Sequence, residues 1–121
     1  MPYVQDILKR ADEARTRIKE ISPEDARAWI ELGAAIVDVR EEKEFAAGKI
    51  PGAILVSLGP LETAIEAAVP GKSTPVLVYC AIGHRSAIGA DVLQQLGYTS
   101  VASLGGGLKA YLESSEARKI A

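Results

Sequence analysis

The sequence predicts an α/β fold built on a mostly parallel sheet. Three observations carry that prediction: short apolar runs rich in β-branched residues and without alternation, helix-like stretches between them, and glycines that close most of those stretches. A strand apolar at consecutive positions is covered on both faces, and strands that alternate with helices pair in parallel, because each crossover returns the chain to the same end of the sheet. With 121 residues, the chain is the size of one domain and long enough to bury roughly two-thirds of the surface its unfolded form exposes.

Each element follows from local chemistry. Val4, Ile7, Leu8, Ala11, Ala14 and Ile18 recur at helical spacing with charges between them, which predicts an amphipathic helix over about residues 3–17. Residues 1–17 are therefore read as an N-terminal helical extension, able to dock on the domain or on a partner, and residues 18–121 as the domain itself. A short strand is expected near 18–21. Ser22-Pro23-Glu24-Asp25 then offers an N-cap hydroxyl, a proline at the first helical position and acids in the first turn, opening a helix that reaches Leu32 and stops at Gly33. Strands are expected at 35–39, 53–56 and 76–79, with a weaker one at 100–104. Helices fall at 42–47, closed by Gly48, at 61–69, closed by Pro70-Gly71, and at 86–96, closed by Gly97, with a last one over 108–117.

Composition narrows the function classes. Hydrophobic residues make up 48% and charged residues 25%, with a net charge of −2 and no basic run, so neither a nucleic acid nor a membrane is expected as a partner. Asp6, Lys9, Arg10, Asp12 and Glu13 interrupt the apolar run that a signal peptide needs, and a cytoplasmic location is the simplest expectation. A single cysteine excludes an internal disulfide, and Cys80 with His84 lacks the company of a metal site, so no metal or cofactor is expected.

That cysteine lies in "VLVYCAIGHRSA", residues 76–87, together with the one histidine and an arginine. In an open parallel sheet, ligands bind beyond the carboxyl ends of strands, where loops run into helix N-termini. If the strand ends near Tyr79 and the helix starts near Ser86, the loop Ala81-Ile82-Gly83-His84-Arg85 can curl so that successive backbone N–H groups point at the sulfur, with Gly83 supplying the freedom for a tight curl. Charge-assisted hydrogen bonds of about 1.5–3 kcal/mol each would then favour the thiolate, the nucleophilic form. On composition alone Cys80 is equally a packed, inert residue. The same cradle suits sulfur transfer, phosphoester cleavage or arsenate reduction.

Four stretches in order, "IVDVREEKEF", "GKIPGAI", "VLVYCAIGHRS" and "LGGGLKAYL", resemble the successive signatures of the rhodanese (sulfurtransferase) family over about residues 18–113. The resemblance implies a three-layer sandwich with a five-stranded sheet flanked by helices. It also implies a reactive Cys80 that takes a sulfane sulfur from a donor such as thiosulfate or a persulfide, becomes a persulfide, and passes the sulfur to cyanide or a thiol. Phosphatase and arsenate-reductase relatives carry a longer loop, with the arginine six residues after the cysteine in the phosphatases; here Arg85 follows Cys80 by five, which favours sulfur over phosphate. A binding or regulatory module of the same fold is the other alternative. Arg85 either faces the donor or braces the loop by pairing with a carboxylate, and bracing is expected. Asp38, Arg40 and Glu44 are expected to be scaffold, His84 an exposed loop residue, and Ser86 the cap of its helix with a second role as a donor toward sulfur. Ala81 and Ile82 stand where some relatives carry cations, so an anionic donor is less favoured. Gly105-Gly106-Gly107 is expected to form a mobile lip, which leaves room for a large acceptor, even a protein.

Overall fold

The computed structural model describes the backbone of residues 2–120 and the side chains of residues 4–115. Met1 and Ala121, the outer ends of the two segments expected from the sequence, lie outside the described residues. Along the chain the elements are α1 (Pro2–Arg15), β1 (Lys19–Ile21), α2 (Pro23–Glu31), β2 (Ala35–Asp38), α3 (Glu42–Ala47), β3 (Ile54–Leu55), α4 (Leu61–Ala68), β4 (Val76–Tyr79), α5 (His84–Gln95), β5 (Val101–Leu104) and α6 (Gly107–Ile120). The five strands form one sheet in the order β1-β5-β4-β2-β3, and every pairing is parallel. All the carboxyl ends therefore face the same side, and the loops that follow β2, β4 and β5 converge there.

The strand runs lack alternation because both faces are covered. Val37, Val39, Val76, Val78 and Val101 pack under α4 and α5 with Leu61, Ile65 and Leu93. The intervening residues Ile36, Leu77, Tyr79, Ala102 and Leu104 pack against Ala26 and Trp29 of α2 and Leu108 and Tyr111 of α6. This is the three-layer arrangement the resemblance implied. The edge strand β3 is shorter than the run 53–56 suggests, yet the Val56 N–H still bonds to the Asp38 carbonyl at 2.9 Å.

Helix α1 docks on the outside of α5 through small residues, with Ala11 and Ala14 buried against Ala87 and Ile88. Just beyond it, Arg17 makes a two-point contact with Asp91 of α5, Nε to Oδ1 at 3.1 Å and Nη2 to Oδ2 at 2.8 Å. The helix thus lies on its own domain, and its N-terminal half extends past the start of α5 toward the carboxyl edge of the sheet.

Candidate active site

Cys80 follows the last residue of β4 and is 1% exposed. Its Sγ accepts hydrogen bonds from the Gly83 N–H at 3.1 Å and the Ser86 N–H at 3.3 Å. Gly83 takes φ +103°, a left-handed conformation available to glycine at no steric cost, and a Cβ there would lie 3.2 Å from the Gly106 nitrogen. The expected ring of successive amides is therefore two non-adjacent donors in a one-turn curl.

That geometry corrects two expectations. Helix α5 begins at His84, not Ser86, with Gly83 as its N-cap and no capping side chain of its own. Ser86 sits in the first turn, where backbone N–H groups lack intrahelical partners, and its N–H is satisfied by sulfur. The cysteine thus fills the role of the cap, and the Ser86 hydroxyl is released for other contacts. It lies 3.5 Å from Sγ, where the thiol donates to it, and 2.8 Å from the hydroxyl of Ser103 on β5. His84 is a half-buried helical residue rather than an exposed loop residue. Its Nδ1 lies 3.1 Å from Nη2 of Arg15 on α1, and because a guanidinium only donates, Nδ1 is the acceptor.

The three glycines after β5 are not a loose lip. Gly105 and Gly106 form a close-packed turn and Gly107 opens α6, whose first free N–H groups meet the back of the cysteine loop: the Leu108 N–H bonds to the Cys80 carbonyl at 2.8 Å and the Lys109 N–H to the Ala81 carbonyl at 3.1 Å. The loop is thus gripped from outside by the N-terminus of α6 while its inward N–H groups face the sulfur. Close approach explains the glycines, since a Cβ on Gly107 would fall 2.5 Å from the Ala81 carbonyl carbon and oxygen.

Two ion pairs join the residues expected to be scaffold. Arg85 meets Glu44 in a two-point contact at 2.8 and 2.9 Å, and Glu44 also accepts the Glu41 N–H at 3.1 Å. The Arg85 hydrogen bonds hold the Glu44 carboxyl down at about 2, against burial, which alone would raise it. A depressed carboxyl stabilises the fold above its unfolded value, ordinarily 4.5, and that stabilisation is lost as pH falls toward the folded value. The melting temperature is therefore expected to fall more steeply between about pH 4.5 and pH 2 in the native protein than in Glu44→Gln, which thermal melts across that window will measure.

Asp38 and Arg40 form the second pair, with contacts of 2.8 to 3.1 Å, and both are buried. Asp38 also takes the Arg40 N–H, and Arg40 donates to the Gly48 carbonyl at 2.6 Å. The Arg40 carbonyl in turn accepts the Ser57 hydroxyl. Asp38→Asn would leave a buried guanidinium without its counter-charge, and an expected loss of about 3–5 kcal/mol is measurable by chemical denaturation.

Cys80 opens on a cavity of about 780 Å³. Ala81, Ile82, His84 and Arg85 form one side, and Val4, Ile7 and Leu8 of α1 form another. Arg15, at the end of α1, donates to the Gly83 carbonyl at 3.3 Å as well as to His84, and pairs with Glu20 at 3.1 Å. Sequence reasoning did not place Arg15, Ser103 or the α1 side chains at the site. Ser103 left one trace, a polar residue inside an apolar strand run. Arg15 left none, because only the docking of α1 brings it near residue 83. Among the described residues, no group of three His, Cys, Asp or Glu side chains converges as a metal site, and no helix is long and apolar enough to cross a membrane.

A family model described as "Rhodanese-like domain" matches residues 22–114. The thiosulfate sulfurtransferase GlpE of Pseudomonas fluorescens is 38% identical over 94 residues, which is 78% of this chain and 84% of the relative. PspE of Escherichia coli, also named a thiosulfate sulfurtransferase, is 36% identical over 70 residues, 58% of this chain and 67% of its own. Among solved structures, a Rhodopseudomonas palustris protein of unknown function, described as a possible tyrosine phosphatase, superposes with a TM-score of 0.81 at 32% identity over 90% of both chains. A human single-domain sulfurtransferase superposes with a TM-score of 0.69 at 27% identity, over 78% of this chain and 95% of that one.

Proposed function

The chain belongs to the rhodanese-like domain family and is a sulfurtransferase of that type; on that premise we propose that it moves a sulfane sulfur from a donor such as thiosulfate to a thiophilic acceptor, cyanide or a thiol, through a persulfide on Cys80. The Cys80 thiolate attacks the outer sulfur of thiosulfate, the S–S bond of the donor breaks, and its electron pair leaves with sulfite. The acceptor then attacks the terminal sulfur of Cys80–S–S⁻, and the bonding pair returns to Sγ. Two half-reactions through one covalent intermediate imply ping-pong kinetics. One observation carries the reading: Cys80 lines a cavity, and its Sγ receives the N–H groups of Gly83 and Ser86, donors that stabilise negative charge on the thiolate. Arg85, five residues on, acts as a brace, and Asp38, Arg40 and Glu44 support the loop. The cytosol is the proposed setting, since reducing conditions there keep a lone thiol free.

The phosphatase description of one structural neighbour favours a second reading. Phosphoryl transfer needs cations aimed at the equatorial oxygens, and here the Arg85 guanidinium is held by Glu44. Intact-mass measurement after incubation with thiosulfate separates the readings. A gain of one sulfur is expected. Hydrolysis of an aryl phosphate with no sulfur uptake would support the phosphatase, and neither event would leave a binding module.

A further inference from the structure

We propose that the acceptor half-reaction selects small thiols with an apolar, aliphatic body, and that Val4 and Leu8 of α1 are specificity-determining residues. The inference rests on the Cys80 persulfide proposed above. It starts from a mismatch of size: a cavity of about 780 Å³ falls within the roughly 300–1,000 Å³ of small-molecule sites, whereas cyanide has two atoms and thiosulfate five. Something larger than either fits in front of the sulfur.

The wall indicates its chemistry. Val4 and Leu8 are four residues apart and share one face of α1; they are 51% and 39% exposed and both line the cavity. The docking of α1 is carried further along the helix by Ala11 and Ala14, so the apolar surface of these two residues is left to the cavity. Ile82, in the cysteine loop and also lining the cavity, is 54% exposed. An aliphatic chain in contact with these residues loses water contact where it meets them.

Charge points the same way. Of the lining cations, Arg85 is held by Glu44, and Arg10 lies 4.0 Å from Asp6. Glu41 adds an acid to the lining. A doubly charged anion therefore gains little on entering, while an alkyl group gains from burial. In the transfer step the acceptor thiolate R–S⁻ attacks the terminal sulfur of Cys80–S–S⁻. The new bond gives R–S–S⁻, the old S–S bond breaks, and its electron pair restores the Cys80 thiolate, so no oxidant or reductant is consumed.

The test loads Cys80 with sulfur from thiosulfate, verified by intact mass, and then measures the rate of sulfur loss to ethanethiol, butanethiol and hexanethiol, each divided by the rate to cyanide in the same protein. In the native protein that ratio is expected to rise about two- to fourfold per added methylene. In the double variant Val4→Ser/Leu8→Ser, and separately in Ile82→Ser, the rise is expected to shrink to about 1.5-fold or less per methylene. Taking the ratio cancels any change in persulfide reactivity, and all three positions are exposed, so folding is not at stake. A flat series in native protein whose sulfur still passes to cyanide would overturn the apolar wall. A steep series that survives in the double variant would overturn the assignment to Val4 and Leu8. Failure to load any sulfur is a different result, and it would overturn the Cys80 persulfide itself.

Discussion

A Cys80→Ser protein is expected to lose sulfur transfer by at least about a thousandfold while melting within a few degrees of the native protein. The two halves of that expectation come from the same contacts. The sulfur accepts the Gly83 and Ser86 N–H groups, which would otherwise be unsatisfied donors at the mouth of α5. A serine hydroxyl is a good acceptor for such donors, so the curl of residues 81–86 keeps its anchor. Chemistry is another matter. A serine hydroxyl is hardly ionised at neutral pH and forms no bond to sulfane sulfur that a thiol could later reverse. The neighbouring Ser86 hydroxyl cannot substitute, since it is already engaged with Ser103. Thiocyanate formation from thiosulfate and cyanide, intact mass and a thermal melt together read out the prediction. Transfer within tenfold of the native rate would show that another group carries the sulfur.

Much of this architecture was legible in the residues. Two-sided burial leaves consecutive apolar positions, and each of the runs at 35–39, 76–79 and 100–104 became a central or near-central strand between two covered faces. Helix stops at Gly33 and Gly97 were equally plain, because both glycines take positive φ just past a helix end. The start of α5 was not. A serine after a strand reads as an N-cap, but here a thiol six residues earlier satisfies its N–H, and no local rule exchanges a side-chain hydroxyl for a sulfur across a loop. The same is true of Gly105-Gly106-Gly107. Three glycines signal either freedom or close contact, and only the position of the Ala81 carbonyl decides for contact. The amphipathic pattern of α1 was clear, but which surface it covers depends on Ala11 and Ala14 meeting Ala87 and Ile88, residues too unspecific for a sequence to pair. Arg15 and the cavity wall came to the site through that docking.

Gly107→Ala is expected to impair both stability and transfer, and the reason lies in backbone atoms that cannot step aside. Gly107 holds φ +65°, and an added Cβ would meet the Ala81 carbonyl carbon and oxygen at 2.5 Å and the Ile82 nitrogen at 2.6 Å. A left-handed alanine costs about 1–2 kcal/mol, and overpacking a tight contact adds about 1–3 kcal/mol, so a total of about 2–5 kcal/mol is expected. For a domain of this size each kcal/mol shifts the melting temperature by about 4 °C, which makes a drop of about 8–20 °C the expected melt. Relief requires that α6 or the cysteine loop move. Movement of α6 breaks the Leu108 and Lys109 bonds to the Cys80 and Ala81 carbonyls, and movement of the loop shifts the Gly83 donor from the sulfur, so transfer is expected to fall at least about tenfold. Gly97→Ala separates strain from contact. Gly97 holds φ +101° but has nothing within 4 Å of an added Cβ, so that protein is expected to lose about 1–2 kcal/mol and keep its transfer rate. Denaturation curves and transfer kinetics on the two variants make the comparison. If Gly107→Ala transferred sulfur within twofold of the native rate, the start of α6 would not be what holds the cysteine loop in place.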